Sequence, residues 1–172
     1  MAPARIRPAR VADAAAISRL RVETWKSAYA GIVDPQVLAD LVSDEASIER
    51  QRGYIGNPGP RTHTFVATIG EGLVGWAVAA PTRDDDAEKT TGEIYALYVD
   101  AAHWGTGLGR RLMATALGAL RKEGFRRVTL WVLEGNARAR RFYEAAGLVP
   151  DGARQLLEMG TPVPEVRYAG PL

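Results

Sequence analysis

The sequence contains no cysteine and only two histidines, His63 and His103. The first absence removes a disulfide framework, a thiolate nucleophile and any cysteine-based metal site, and the second leaves too few imidazoles to build one from histidine, so no metal is expected. Long apolar runs are also missing. Uninterrupted stretches such as Ala77–Ala80 fall far below the ~18 residues of a membrane span, and no basic segment followed by an apolar one opens the chain. A cytoplasmic protein with no membrane contact is the expectation. One charge does not dominate either, since 22 Lys and Arg stand against 20 Asp and Glu.

Apolar residues make up 47% of the sequence and charged residues 24%, close to the average for globular chains and far from the signature of disorder. A length of 172 residues fits one compact unit, so residues 1–172 are expected to form a single domain. The small net charge hides an asymmetry. From Ala101 to Gly147 nine basic side chains face three acidic ones, whereas the remainder is net acidic, so the basic segment is expected to meet an anion. It lacks the interleaved aromatics, zinc spacing or basic arm of a nucleic-acid binder. A smaller phosphorylated ligand fits, and no nucleic-acid partner is expected.

Along the chain, Arg5 to Pro8 is a short extended start. Asp13 stands where it can cap a helix whose face is Ile17, Leu20, Thr24 and Ala28, with Trp25 beside them and Gly31 at its end. Asp34-Pro35 opens a second helix with Leu38, Leu41 and Val42 as its apolar face, and Gly53 to Pro60 reads as a loop. The period then changes from helix to strand. Thr64–Ile69 and Leu73–Ala79 flank Gly70-Glu71-Gly72 as a hairpin, Arg83 to Lys89 is an acidic loop, and Glu93–Val99 is a third strand. The turn Gly105-Thr-Gly-Leu-Gly109 leads into a helix striped by Leu108, Leu112, Ala116 and Leu120. Val128–Val132 is a short strand, Ala137–Ala146 a helix closed by Gly147, and Leu148-Val149, Leu156-Leu157 and Val166–Tyr168 are strand fragments, the last a candidate edge. These elements predict one α+β sheet with helices on its faces.

The glycine turn between strand and helix carries the most chemistry. Glycines let backbone amides approach a ligand, and the helix behind them offers free N–H groups and a positive dipole end, which together suit phosphate. Two familiar uses of such a turn fail on the residues: no lysine follows it as a P-loop requires, and Arg110 stands where a dinucleotide fold needs glycine. Taken with Asn136, Ala139, Phe142, Tyr143, Glu144 and Gly147, however, Trp104-Gly-Thr-Gly107-Leu-Gly109 resembles the paired signatures of the GNAT superfamily of N-acetyltransferases. Those are a Gln/Arg-x-x-Gly-x-Gly/Ala pyrophosphate loop and an Asn-x-x-Ala-x-x-Phe-Tyr-Glu-x-x-Gly segment. One departure is Trp104, which replaces the usual glutamine or arginine and puts a side-chain contact in doubt rather than cofactor binding.

The resemblance implies the GNAT fold, with a central, mostly antiparallel twisted sheet and helices on both faces, and acetyl-CoA as co-substrate. It implies that the strands at Glu93–Val99 and Val128–Val132 diverge, with pantetheine lying between them against Leu97, Tyr98 and Val99 as an added strand would. Trp104, Gly105, Thr106, Gly107, Leu108, Gly109 and Arg110 would surround the pyrophosphate, helped by Arg110 or Arg111. Asn136, Arg138 and Phe142 would face the rest of the cofactor. For the reaction, an amine must lose a proton, an oxyanion must be stabilised and a thiolate must gain a proton. The resemblance implies Glu93 as the base and Tyr143 as the acid. Without cysteine, direct transfer in a ternary complex is favoured over an acyl-enzyme. The acceptor is expected to be a small-molecule amine, with protein N-terminal or lysine acetylation, or an acyl-CoA-binding module without turnover, as alternatives. A homodimer is expected by the same analogy.

Each residue also has a plainer role. Tyr143 can be a packed ring, Glu93 a solvated strand-start carboxylate, and Trp25 and Tyr29, four positions apart, either core or the wall of the acceptor site. Asp84-Asp85-Asp86 reads as a solvated loop.

Overall fold

The alternating stretches in the middle of the chain fold as strands of one sheet. In the computed structural model, which describes residues 3–172, these are β1 (Arg5–Pro8), β2 (His63–Ile69), β3 (Gly72–Pro81), β4 (Thr91–Val99), β5 (Arg127–Leu133), β6 (Val149–Met159) and β7 (Thr161–Pro171). Their order across the sheet is β1-β2-β3-β4-β5-β7-β6. Neighbours run antiparallel except β4 and β5, which are parallel and therefore need a crossover between them. The helices are α1 (Ala14–Ala28), α2 (Pro35–Asp40), α3 (Glu45–Gly56), α4 (Leu108–Lys122) and α5 (Ala137–Ala145), and α4 is that crossover. The expected mixed α+β, mostly antiparallel architecture is thus what the chain adopts. Among the described residues no helix is long and apolar enough to cross a membrane.

Period-two alternation assigns the two faces. Val66, Trp76 and Ala96 pack with Ile17 and Leu20 of α1, whereas Ala67 and Ala77 pack with Leu112, Ala116 and Leu120 of α4. At Tyr95 the register against β3 slips by one residue, since Ala96 pairs with Val78 but Ile94 pairs with Ala79. Tyr95 is the extra residue of a β-bulge, and this is why Ile94 joins the α4 face although Ala96, two residues on, joins the α1 face. A third apolar cluster, containing Val33, Leu38, Leu133, Met159 and Val163, seats α2 on the β6–β7 end of the sheet. There Gly160, at φ +75°, makes the turn between β6 and β7. A Cβ on it would lie 2.6 Å from Val37 Cγ2 of α2, so no larger residue fits.

Four expectations need correction. Asp13 does not cap α1 with its side chain; its carboxylate instead holds Arg7 at 2.7 and 2.8 Å and accepts from Arg10 N at 2.7 Å, closing a 3₁₀ turn just before the helix. Residues 45–56 form a full helix where none is expected, and its last turn takes in Gly53–Gly56 of the expected loop. Its cap is Asp44; Ser47, and Ser43 just before the helix, bond to Ser18 of α1, while Ile55 alone reaches the cluster of Ile17 and Leu20, so only a sparse apolar signal announces it. Val42 lies beyond α2 and is 61% exposed. Finally, Val166–Tyr168 is no edge: β7 lies between β5 and β6, Tyr168 is fully buried, and β6 is the outer strand.

Candidate active site

β4 and β5 pair over only three positions, Thr91–Glu93 against Arg127–Thr129, and then part. Asp100 N donates to Val74 O, so by antiparallel alternation Tyr98 and Ala96 exchange bonds with β3 while the amides of Leu97 and Val99 face the opening. An unpaired strand edge inside a fold is a place for a ligand to add as a strand would. The opening widens into a cavity of about 1210 Å³ bordered by α1, β4, α4, β5, α5 and the β6–β7 end.

One mouth of this cavity is the glycine turn. Gly105 and Gly107 adopt φ of +74° and +85°, and the second is the residue before α4, so free N–H groups of the helix start face the cleft. Gly105, Gly107, Gly109 and Arg110 border the cavity. Thr106 and Leu108 do not: the Thr106 hydroxyl donates to His103 O at 2.7 Å, and the Leu108 side chain is in the core. They have only backbone groups to offer a ligand. Arg111 points elsewhere, donating to Ala4 O at 2.9 Å. Trp104, at the family's glutamine or arginine position, donates its indole N–H to Val99 O at 2.7 Å and carries the Arg138 guanidinium on its ring at 3.4 Å. The departure is therefore put to use, tying the end of β4 to the loop and placing a cation at the mouth.

α5 supplies the wall opposite β4. Asn136 caps it, its Oδ1 accepting from Ala139 N at 3.1 Å, so this side chain orients the helix as well as bordering the cavity. Arg140 is consumed by structure, donating to Tyr168 Oη at 3.0 Å and to Glu134 O, and Tyr168 in turn donates to Glu144. Phe142 meets Tyr143 edge-on, with ring centroids 5.4 Å apart. The Tyr143 side chain is 9% exposed and borders the cavity, and its hydroxyl makes no hydrogen bond among the described residues. Burial, then the nearby Tyr98, push its phenol well above the ordinary tyrosine value. It stays protonated and can donate.

Glu93 differs from the solvated carboxylate of its plainer role. It is 1% exposed and held at both oxygens by Arg83, whose backbone N–H also reaches Oε2 at 2.9 Å. Arg83 itself is 61% exposed and lies on the Tyr95 ring at 3.9 Å. Nor is the acidic run merely solvated. Asp84 accepts from Trp131 Nε1 at 3.0 Å, and both Asp84 and Asp86 converge with Asp151 on the nearly buried Arg167.

Trp25 and Tyr29 serve both as packing and as cavity lining. They pack on the third apolar cluster and border the cavity, their rings 5.3 Å apart. Tyr98, stacked on Trp76, faces them, and burial first, then neighbouring groups, raise the Tyr29 phenol. Sequence reasoning missed Arg83, Gln155 and Glu165 in this wall. Their sequence neighbourhoods carry no motif, and only the pairing of Gln155 with Glu165 across β6 and β7 brings the latter two together.

Residues 21–148 match the Acetyltransferase (GNAT) family. Over 63 residues, or 37% of this chain, the sequence is 51% identical to the mycothiol acetyltransferase of Beutenbergia cavernae, and the chain spans about a fifth of that relative's length, 21%. YuaI of Bacillus subtilis, described as an uncharacterized N-acetyltransferase, is 30% identical over 133 residues that cover 76% of this chain and 72% of YuaI. The crystal structure of PaiA N-acetyltransferase from Thermoplasma acidophilum in complex with coenzyme A superposes over 99% of both chains with a TM-score of 0.80 at 17% identity. It shares the fold.

Proposed function

The chain belongs to the GNAT acetyltransferase family, and from that premise we propose that it transfers the acetyl group of acetyl-CoA to a primary amine of a small molecule, by direct attack in a ternary complex. The observation that carries this is the opening between β4 and β5. On one side are unpaired amides of Leu97 and Val99; at its mouth are two glycines with positive φ; across from it is a protonated, unpartnered Tyr143. These residues fit an elongated phosphorylated thioester. Gly105 to Arg110 would hold the pyrophosphate through backbone N–H groups and the Arg110 guanidinium, Arg138 on Trp104 would add a cation, and the Leu97 and Val99 edge would hold the pantetheine arm.

Acetyl-CoA supplies the activated acetyl group as a thioester. The backbone N–H groups near Leu97–Val99 polarise its carbonyl oxygen and stabilise the charge that develops there. As the amine nitrogen bonds to the acetyl carbon, the carbon–sulfur bond breaks; the nitrogen gives up one proton and the departing sulfur takes one from Tyr143 Oη, which solvent then restores. Glu93 remains a candidate to receive the amine proton. In the free chain its carboxylate is engaged by Arg83, so that role requires Arg83 to move aside.

A small acceptor is supported by the relatives named mycothiol acetyltransferase and by the side chains of Trp25, Tyr29 and the β6–β7 pair that border the cavity. We read the whole chain as one acetyltransferase domain of the cytoplasm that pairs as a homodimer, which sedimentation at micromolar concentration tests. The activity is tested by measuring CoA release from acetyl-CoA against small amines, amino acids and peptides, with the acetylated product weighed by mass spectrometry. Turnover with small amines supports the proposal, and turnover with peptides alone replaces it by protein acetylation. Acetyl-CoA binding without turnover on any acceptor leaves a binding module.

A further inference from the structure

Three carboxylates border the cavity: Asp84, Glu93 and Glu165. Two are already neutralised, Glu93 by Arg83 and Asp84 by Arg167 together with the Trp131 indole N–H. Glu165 is different. Half-buried on β7, it accepts a hydrogen bond from Gln155 Nε2 at 2.7 Å and has no cationic partner among the described residues. Its charge reaches the phenols of Tyr29 and Tyr98 across the cavity, pushing both in the same direction as burial does. It therefore faces the aromatic wall made by Trp25, Tyr29 and Tyr98, with Leu157 of β6 beside it.

A half-buried carboxylate with no counter-ion attracts a cation, and aromatic rings beside it add attraction for a cation and none for an anion. The same wall holds further unmet polar groups. Thr24, 5% exposed and bordering the cavity, has a hydroxyl without a partner, and so does the buried indole N–H of Trp25. Polar atoms left unsatisfied in this way mark a surface completed by something else. An alkyl amine, with a reference pKa near ~10.4, arrives at neutral pH as an ammonium ion; the Arg21 guanidinium lies 5.0 Å from the Trp25 ring centroid but forms no ion pair with Glu165 among the described residues, so that carboxylate is left for the ammonium.

We propose that the end of the cleft between α1 and the β6–β7 pair is an ammonium site, in which Glu165 receives the positive charge of the acceptor while Trp25, Tyr29, Tyr98 and Leu157 take its apolar stem. The acceptor class is thereby a primary ammonium on an apolar or aromatic body, not an amine surrounded by acidic groups. This rests on the acetyl-transfer proposal for the choice of ligand, but the site is a binding site and is measurable without turnover.

The test compares benzylammonium with its uncharged analogue benzyl alcohol at pH 7, titrated into the full chain and followed by the Trp25 indole N–H resonance, which a Trp25→Phe variant identifies. Benzylammonium is expected to bind roughly ten-fold tighter than benzyl alcohol, and Glu165→Gln to level the two. Glu165→Asp keeps a reduced preference. Acetyl-CoA affinity and the thermal midpoint of Glu165→Gln should match those of the parent, which separates loss of the site from loss of the fold. Equal binding of the two probes by the parent, an unmoved Trp25 signal, or a preference that survives in Glu165→Gln overturns the proposal. Failure of the acetyl-transfer proposal looks different: the ammonium preference persists and no amine releases CoA.

Discussion

Replacing Tyr143 by phenylalanine removes one oxygen from a side chain that is 9% exposed, and the structure says what that oxygen does for folding. It makes no hydrogen bond among the described residues, while its ring packs between Phe142 and Tyr168 at centroid distances of 5.4 and 6.2 Å. Phe keeps the ring and breaks no bond, so the stability change is expected to stay within about 0.5 kcal/mol. An alanine would leave a cavity worth ~3–5 kcal/mol and confuse folding with chemistry. General acid catalysis contributes ~10²–10⁴-fold, and a thiolate, whose conjugate acid titrates near ~8.5, is a good enough leaving group to place this case at the lower end. The expected loss in kcat is therefore about 10²-fold, or ~2.7 kcal/mol of transition-state stabilisation. The assay is steady-state CoA release beside calorimetric acetyl-CoA binding and a denaturation curve on the same protein. A kcat within about three-fold of the parent with unchanged acetyl-CoA affinity would remove Tyr143 from the chemistry. Weakened acetyl-CoA affinity with kcat preserved would make it a binding residue instead.

Other consequences are as direct. Gly107→Ala places a Cβ where nothing lies within 4 Å, so its effect is the backbone penalty of φ +85° alone, about 1–2 kcal/mol by denaturant titration; Gly109→Ala, inside α4 with only ordinary contacts to Phe142, should be neutral or slightly stabilising. If the two substitutions cost the same, the turn is not held as described. Arg167→Ala strips the cation that pairs with Asp84, Asp86 and Asp151, where the arginine side chain is 11% exposed, and should cost about 3 kcal/mol in urea unfolding. An effect below about 1 kcal/mol would show the cluster to be solvated. The Asp13 carboxyl is held below its ordinary value chiefly by its hydrogen bonds from Arg7. Its contribution is present above the unfolded-state pKa near ~4 and lost as pH falls through the lower folded value. Asp13→Asn should thus be less stable than the parent by about 1 kcal/mol at pH 7, a deficit that narrows as pH falls below ~4; a deficit independent of pH would refute the assignment.

The sequence by itself determined whatever rests on local pattern. Positive-φ glycines at a strand–helix junction, the stripe Leu108, Leu112, Ala116 and Leu120, and the hairpin around Gly70 are decided by backbone sterics and by side-chain period within a few residues of one another. The glycine turn and Tyr143, which border the cavity beside the β4–β5 opening, were therefore legible. Helix α3 was not, because it is seated on α1 largely through serine hydroxyls, with Ile55 its one side chain on the α1 cluster, and so carries little hydrophobic period. Nor was the place of β7, because strand order depends on which edge of β5 remains open once β4 has paired and parted. The other end of the cavity was legible only in the Trp25 and Tyr29 pair. Trp25, Tyr98 and Glu165 stand on three elements far apart in sequence. That Glu93 is matched by the Arg83 cation while Glu165 has only the neutral Gln155 amide among the described residues follows from a balance of charge and burial that exists only once the elements have packed.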